Sequence, residues 1–244
     1  MIQIEICAYS VASALAAEQC GADRIEFCSG AHEGGMTPSH GAIAYVREHL
    51  GIKMHVIIRP REGAFVYSEA ELHVMRRDIE FCRHIGVDGV VIGVLTGDDA
   101  VDLDRMRELV RLAQPMTVTF HRAFDLVEDP IQALEDVISA GCSRLLTSGL
   151  QPSALTGAPL IRKLVERSAA RISIMPGGGV RADNLAELAR LTGAKEFHSS
   201  ARMRSAAPLV SGNAVAAGFG DASQLEADQH EMRRLVQAAR AIEA

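Results

Sequence analysis

The chain has 244 residues, of which 48% are hydrophobic, 23% charged and 4% aromatic, and 25 Lys and Arg against 31 Asp and Glu give a formal net charge of −6. An acidic chain without a cluster of Lys and Arg lacks the electrostatic footprint of a nucleic-acid-binding protein. No apolar run approaches the roughly 20 residues that a membrane-spanning helix needs, and the start lacks the basic and apolar regions of a secretory signal. We therefore expect a cytoplasmic protein with no nucleic-acid partner and no membrane partner.

Strand-like and helix-like segments alternate along the whole chain. Glycines that can close the last turn of a helix in the left-handed conformation come shortly before four strand-like segments, at Gly21, Gly86, Gly141 and Gly193. The pattern predicts strands near residues 2–7, 24–28, 54–60, 89–94, 116–121, 144–148, 171–175 and 196–200. It predicts helices near residues 10–20, 39–49, 69–85, 102–113, 130–140, 158–169, 182–191 and 223–243.

Eight strand–helix units in a chain of this length are typical of a single-domain (β/α)8 TIM barrel, which we expect to span residues 1–244. A dinucleotide-binding fold would favour a glycine-rich turn after the first strand, and residues 7–10 contain no glycine. Residues 203–222, rich in Ala, Gly and Ser, are predicted to form a long loop before the last helix.

The alternation of side chains predicts a polar barrel interior. If Ile4 and Ile6 pack against helices, then Glu5 and Cys7 face inward, because a carboxylate among apolar helices would be costly. The same argument applied to the other strands gives an inward set of Glu5, Glu26, Arg59, Arg61, His121 and His198. These charges could serve structure alone, for example as an ion pair between Glu26 and Arg59. Six polar groups from five strands favour a ligand-binding or catalytic site instead.

Two segments at predicted strand ends favour binding of an anion. Gly177, Gly178 and Gly179 follow the seventh strand, where many barrels hold a phosphate group on backbone N–H groups, and Arg202 follows the eighth strand. Arg59 and Arg61 flank a proline at the end of the third strand, which suits a carboxylate or phosphate. With only seven Phe, three Tyr and no Trp, the chain offers little surface for stacking a base or flavin, which favours a small charged ligand.

Cysteine placement suggests a metal hypothesis. The five cysteines, an odd number, are expected to be free thiols, with Cys20, Cys82 and Cys142 in packing positions. Cys7 and Cys28 end neighbouring strands with the same parity, and neighbouring strands run about 4.8 Å apart. Two thiolates at that spacing could hold a soft ion such as Cu(I), although buried free cysteines often act only as small apolar residues.

Several strand-end motifs resemble those of the CutC copper-homeostasis family, in order over residues 1–205. They are residues 21–30 (GADRIEFCSG), 58–61 (IRPR), 119–125 (TFHRAFD), 146–149 (LTSG) and 175–179 (MPGGG). The resemblance implies a cytoplasmic, homo-oligomeric TIM barrel associated with copper, with Cys7 and Cys28 as the copper-binding cysteines. The chain departs from the family pattern at Ala64, where Asp is common, at Phe27, where Leu is usual, and at Leu150, where Gly is common.

Two functions follow as hypotheses. In the first, Cys7 and Cys28 bind Cu(I) while Glu5 and Glu26 lie around them. In the second, the barrel is an enzyme for a small anionic substrate, with His121 as general acid or base and Glu5 or Glu26 as its partner. Its anion-binding residues would be Arg59, Arg61, Arg122, Gly177, Gly178, Gly179 and Arg202, with Arg122 and Asp125 ordering a loop. A third arrangement places Zn or Mn on Glu5, Glu26, His121 and His198.

Overall fold

A computed structural model describes residues 2–204 and 225–242 of the chain. The strands are β1 (Gln3–Ala8), β2 (Arg24–Phe27), β3 (Lys53–Ile57), β4 (Gly89–Ile92), β5 (Thr117–Phe120), β6 (Arg144–Thr147), β7 (Ser173–Pro176), β8 (Glu196–Ser199), β9 (Arg202–Arg204) and β10 (Leu225–Ala227). The helices are α1 (Val11–Gln19), α2 (His40–His49), α3 (Glu69–His84), α4 (Leu103–Ala113), α5 (Pro130–Ser139), α6 (Ala158–Ser168), α7 (Leu185–Thr192) and α8 (Gln229–Ala241).

Eight parallel strands form a nearly closed barrel. The hydrogen-bonded order is β7-β6-β5-β4-β3-β2-β1-β8, and β7 and β8 lie side by side where the sheet curls round on itself. A helix follows each strand from β1 to β7, and α8 comes after the short antiparallel pair of β9 and β10. The prediction of a (β/α)8 TIM barrel is therefore confirmed, and the carboxyl ends of all eight strands meet at one end of it.

The alternation of side chains along β1 and β2 is also confirmed. Ile4, Ile6, Ile25 and Phe27 belong to the large apolar core between the sheet and the helices. A separate apolar cluster lies inside the barrel and consists of Cys7, Cys28, Ile57 and Val91. The strands thus present apolar side chains outward to the helices and bring a mixed thiol, carboxylate and imidazole set to the axis.

Two predicted boundaries are wrong. The strand expected over residues 54–60 ends at Ile57, because the Arg59 amide donates to Thr37 Oγ1 at 2.8 Å and Pro60 has no N–H to donate. The helix expected over 223–243 begins at Gln229, where the Asp228 side chain accepts from the first amides of the helix. Residues 225–227 pair with residues 202–204 instead, so residues 203–204 of the predicted loop lie in a strand. Residues 205–222 of that loop lie outside the described residues.

Within residues 2–204 and 225–242, the helices are too short or too polar to cross a bilayer.

Candidate functional site

Glu5 is the centre of a buried hydrogen-bonded network on the barrel axis. Its side chain is 1% exposed, and it accepts hydrogen bonds from Arg24 at 2.5 Å and from His198 Nδ1 at 2.8 Å. Arg24 continues to Glu196 at 2.8 Å, which also contacts Arg144 and Ser173. Burial opposes ionisation of Glu5, but Arg24 and His198 outweigh it and hold the pKa of Glu5 well below its usual range. The structural ion pair inside the barrel therefore joins Glu5 to Arg24, rather than Glu26 to Arg59.

Two thiols, a carboxylate and an imidazole meet one layer above this network. Cys7 Sγ and Cys28 Sγ lie 3.6 Å apart, and both residues are buried. His198 Nε2 lies 3.7 Å from a carboxylate oxygen of Glu26. Ligand atoms of Cys7, Glu26 and His198 all lie within 4.8 Å of one another. We refer to Cys7, Cys28, Glu26 and His198 as the thiol cluster.

The thiol cluster has an uneven distribution of charge. Burial disfavours the Cys7 thiolate, but hydrogen bonds with Cys28 and His198 outweigh it and bring the pKa of Cys7 well below its usual value. Burial and the neighbouring Cys7 raise the pKa of Cys28, and the same two causes raise that of Glu26. Burial opposes protonation of His198, yet its hydrogen bonds with Cys7 and Glu5 raise its pKa well above the usual value. The cluster thus favours one thiolate beside an imidazolium, with a protonated carboxyl group next to them.

A cavity of about 390 Å³ opens above the thiol cluster at the carboxyl ends of the strands. Its walls come from the ends of seven strands or the loops that follow them, as the walls of TIM-barrel active sites do. The residues that line it include Cys7, Tyr9, Glu26, Arg59, Phe65, His121, Arg122, Gly178, Gly179, Val180, His198 and Arg202. Cys28 lies behind this wall, in contact with Cys7.

His121 lines the cavity but has no carboxylate partner among the residues that the structure describes. Its Nδ1 accepts a hydrogen bond from the Ala123 amide at 3.2 Å, which places the proton of the neutral ring on Nε2, a buried atom with no acceptor among the described residues. Burial and the charge of Arg59 lower the pKa of His121 to about 3. The predicted pairing of His121 with Glu5 or Glu26 is therefore wrong, because Nδ1 of His121 bonds to the Ala123 amide, its Nε2 contacts neither carboxylate, and Glu5 bonds to His198 instead.

Arg59 and Arg61 differ in position, although the sequence placed them together. The Arg59 guanidinium is buried and donates to three backbone carbonyls, those of Glu33, Gly35 and Gly63, while its Nε has no acceptor among the described residues. Arg61 does not line the cavity. Its guanidinium contacts Glu71 and the backbone carbonyls of residues 62, 64 and 66, and so it holds the loop that precedes α3. The prediction that Arg61 faces the barrel interior is wrong, because the chain leaves the sheet at Ile57 and strand parity ends there.

The loops after β5, β6 and β7 form a second wall. Asp125 accepts hydrogen bonds from Arg122 Nε at 2.7 Å, from the Thr147 and Ser148 hydroxyls, and from the Ser148 and Leu150 amides. Arg122 also donates to the Ser148 hydroxyl at 2.9 Å. Gly178 and Gly179 lie on this wall with φ of 97° and 74°, and a side chain on Gly178 would contact the Arg122 guanidinium. Gly177 does not line the cavity and packs on Leu146.

Comparison with known proteins identifies the family. The CutC family profile matches residues 2–203. The chain belongs to the CutC family. A CutC family protein from Chromobacterium violaceum is 56% identical over 199 residues, covering 82% of this chain and 81% of the relative. A CutC family protein from Xanthomonas axonopodis pv. citri is 48% identical over 235 residues, covering 96% of this chain and 98% of the relative. A crystal structure from Streptococcus agalactiae, of a CutC assigned to copper homeostasis, has a TM-score of 0.79 and 33% identity, and it covers 82% of this chain and 99% of that one.

The structure shows how the chain accommodates Leu150, one of the departures from the family pattern. Leu150, at a position where the family commonly has glycine, adopts a φ of 58°, which glycine takes without strain. Its amide donates to Asp125, so this hydrogen bond keeps the turn closed with a leucine in place.

The ligand set that the sequence suggested for Zn or Mn does not come together. In the described ranges, the group of three or more potential metal ligands is Cys7, Glu26 and His198. Glu5 is occupied by Arg24 and His198, and His121 lies apart from that group. A site that contains thiols and an imidazole suits a softer ion than one built from carboxylates.

Sequence reasoning missed three residues of this CutC site. Arg24 shares the parity of Glu26 on β2, so the alternation could have placed it inside the barrel. Tyr9 and Phe65 lie in loops where no periodic signal exists, and the structure places them under two arginines. The guanidinium of Arg202 lies 4.7 Å above the Tyr9 ring, and that of Arg59 lies 4.9 Å above the Phe65 ring.

Proposed function

We propose that this CutC family protein binds Cu(I) as its cargo at Cys7 and Cys28. The observation that carries the proposal is the 3.6 Å separation between the Sγ atom of Cys7, which lines the cavity, and that of Cys28, which lies behind it. Thiolates are the ligands that Cu(I) prefers, and this distance lets one ion contact both sulfurs. The copper-homeostasis name of the similar Streptococcus agalactiae protein supports the same ion.

His198 supports the proposal as a third ligand. The hydrogen bond of its Nδ1 to Glu5 fixes the ring so that Nε2 faces Glu26 and Cys7. Carboxylates commonly orient metal-binding histidines through the other ring nitrogen in this way. The low pKa of Cys7 supplies one thiolate, and the ion displaces the proton of Cys28 and the Nε2 proton of His198 on binding.

The test is an anaerobic titration of the reduced protein with Cu(I) against a competing chelator. Wild type is expected to bind one Cu(I) per chain, and Cys7→Ser and Cys28→Ser are each expected to lose at least about 100-fold in affinity. Cys82→Ser is the matched control, because Cys82 is an equally buried cysteine on α3, outside the cluster. Equal affinity of wild type and the Cys7→Ser/Cys28→Ser double variant would overturn the proposal.

We propose as a second candidate function an enzyme that acts on a small anionic substrate by acid–base chemistry. A specific observation favours it: the Glu5–His198 pair, 2.8 Å apart, presents an imidazole to a cavity that also contains arginines. His198 then replaces His121 as the proposed acid or base, and Glu5 orients it. Incubation with small phosphates and carboxylates in D2O, followed by NMR, tests it. Exchange or product formation by wild type and by His121→Gln, but not by His198→Gln, is the expected result, and activity in all three proteins would contradict it.

Cytoplasmic location and homo-oligomeric assembly remain predictions from the sequence and its family resemblance.

A further inference from the structure

Three consecutive backbone amides on the cavity wall have no acceptor within residues 2–204 and 225–242. Within the described part of the chain, the N–H groups of Gly178, Gly179 and Val180 donate to no atom, although the amides of Gly177 and Arg181 on either side do. Gly178 and Gly179 both have positive φ, which curves the backbone and leaves the surface free of side chains. Concave runs of amides of this kind bind anions.

Two arginines bring positive charge to the same wall. Arg122 is held over Gly178 by Asp125 and Ser148, and its Nη1 has no acceptor among the described residues. Arg202 stacks on Tyr9 and donates from Nη1 to the Ala31 carbonyl, and its other N–H groups have no acceptor in the part of the chain that the structure describes. Arg122, Arg202 and the amides of residues 178–180 are here called the anion rim.

Two other residues that line the cavity add an independent observation. Arg59 and His121, which are 6% and 4% exposed, each keep one buried N–H without an acceptor among the described residues. Buried donors usually have partners, and two unpartnered donors in the wall of one cavity point to a ligand rich in acceptor atoms.

We propose that the anion rim binds the phosphate group of a small organic phosphate monoester. Three amides and two guanidinium groups offer more donors than the two oxygens of a carboxylate accept, whereas a phosphate has three free oxygens and carries up to two negative charges. The cavity of about 390 Å³ lies at the small end of the usual range for ligand sites, and so it limits the rest of the molecule to a few carbon atoms. The inference rests on the second candidate function and does not depend on copper binding.

The experiment measures binding of inorganic phosphate and of glycerol 3-phosphate by calorimetry, with glycolate as the carboxylate. We expect saturable binding of both phosphates, about 10-fold weaker in Arg202→Gln and in Arg122→Gln, because each removes one charged hydrogen-bond donor. Arg77→Gln is the matched control, since it removes the same charge from an exposed arginine on α3 that pairs with Glu80. Circular dichroism confirms that each variant is folded.

Two outcomes overturn the inference, and they can be told apart from failure of the second candidate function. The inference is overturned if wild type shows no saturable phosphate binding up to about 10 mM phosphate, a concentration well above common KM values. If Arg77→Gln and Arg202→Gln weaken phosphate binding equally, the effect comes from net charge alone, and the inference is overturned as well. If glycolate binds and phosphate does not, the enzyme proposal stands and the phosphate assignment fails.

Discussion

Glu5→Gln tests whether the network on the barrel axis is an ion pair that stabilises the fold. Glu5 is 1% exposed and contacts Arg24 and His198, with His55 at 3.8 Å. Removing one member of a buried ion pair costs about 3–5 kcal/mol because the other charge remains buried. We expect the low end, about 3 kcal/mol, because Arg24 keeps its contact with Glu196 at 2.8 Å.

The expected pH dependence follows from the direction of the Glu5 pKa. The pKa of Glu5 in the folded protein lies well below its usual value, so its charge stabilises the fold above the unfolded pKa of about 4.3. That contribution is lost as the pH falls through the folded pKa. The difference in free energy of unfolding between wild type and Glu5→Gln should therefore be full near pH 6 and shrink below pH 4.3.

Urea denaturation at pH 6 and at pH 3.5 measures this difference. Glu80→Gln is the control, because Glu80 forms an exposed pair with Arg77 on α3 and should cost less than about 1 kcal/mol. A difference under about 0.5 kcal/mol for Glu5→Gln at pH 6, or one that does not change at pH 3.5, would refute the reasoning.

Three further predictions concern the walls of the cavity. Gly93→Ala would place a methyl group 2.4 Å from the His121 ring, so urea denaturation should show a loss of about 1–3 kcal/mol in the free energy of unfolding. Gly97→Ala is the control and should be nearly neutral, because its methyl group would have no atom within 4 Å. Asp125→Asn should cost about 2–3 kcal/mol and speed amide exchange at Ser148 and Leu150, and unchanged exchange would show that the carboxylate does not hold this loop. The His121 ring should stay neutral, with constant NMR shifts from pH 8 to pH 5, because its pKa is about 3, and a midpoint near 6.5 would contradict its burial.

The barrel could be predicted from sequence because its signals are local and repeated. Each strand–helix unit is bounded by a capping residue or a glycine, and strand alternation then assigns faces, as Ile4, Glu5 and Ile6 show. The same alternation brought Cys7 and Cys28 to one layer of the interior. The alternation ends with the strand at Ile57; Arg59, two residues later, still lines the cavity, whereas Arg61 does not.

The partners of each polar group were beyond sequence reasoning. Parity places Glu5, Glu26 and His198 inside, yet it cannot tell which carboxylate meets which imidazole. In the register of the barrel, Glu5 lies directly beside His198 on β8, and this neighbour is decided only when the first and last strands meet. His121 comes after β5 on the other side of the barrel, and so its predicted carboxylate was out of reach.

The two proposed ligands would share one cavity, and this has a thermodynamic consequence. Cys7, at the floor, and the anion rim, above it, line the same space of about 390 Å³. If a phosphate monoester changes the affinity for Cu(I) by some factor, then Cu(I) must change the affinity for the phosphate by the same factor. A phosphate beside a negatively charged copper–thiolate pair adds like charge in a poorly solvated site, so the coupling should be unfavourable for both ligands. Phosphate added during the Cu(I) titration should therefore weaken copper binding in wild type. At phosphate concentrations too low to occupy the anion rim of Arg202→Gln, the added phosphate should leave the Cu(I) affinity of that variant unchanged.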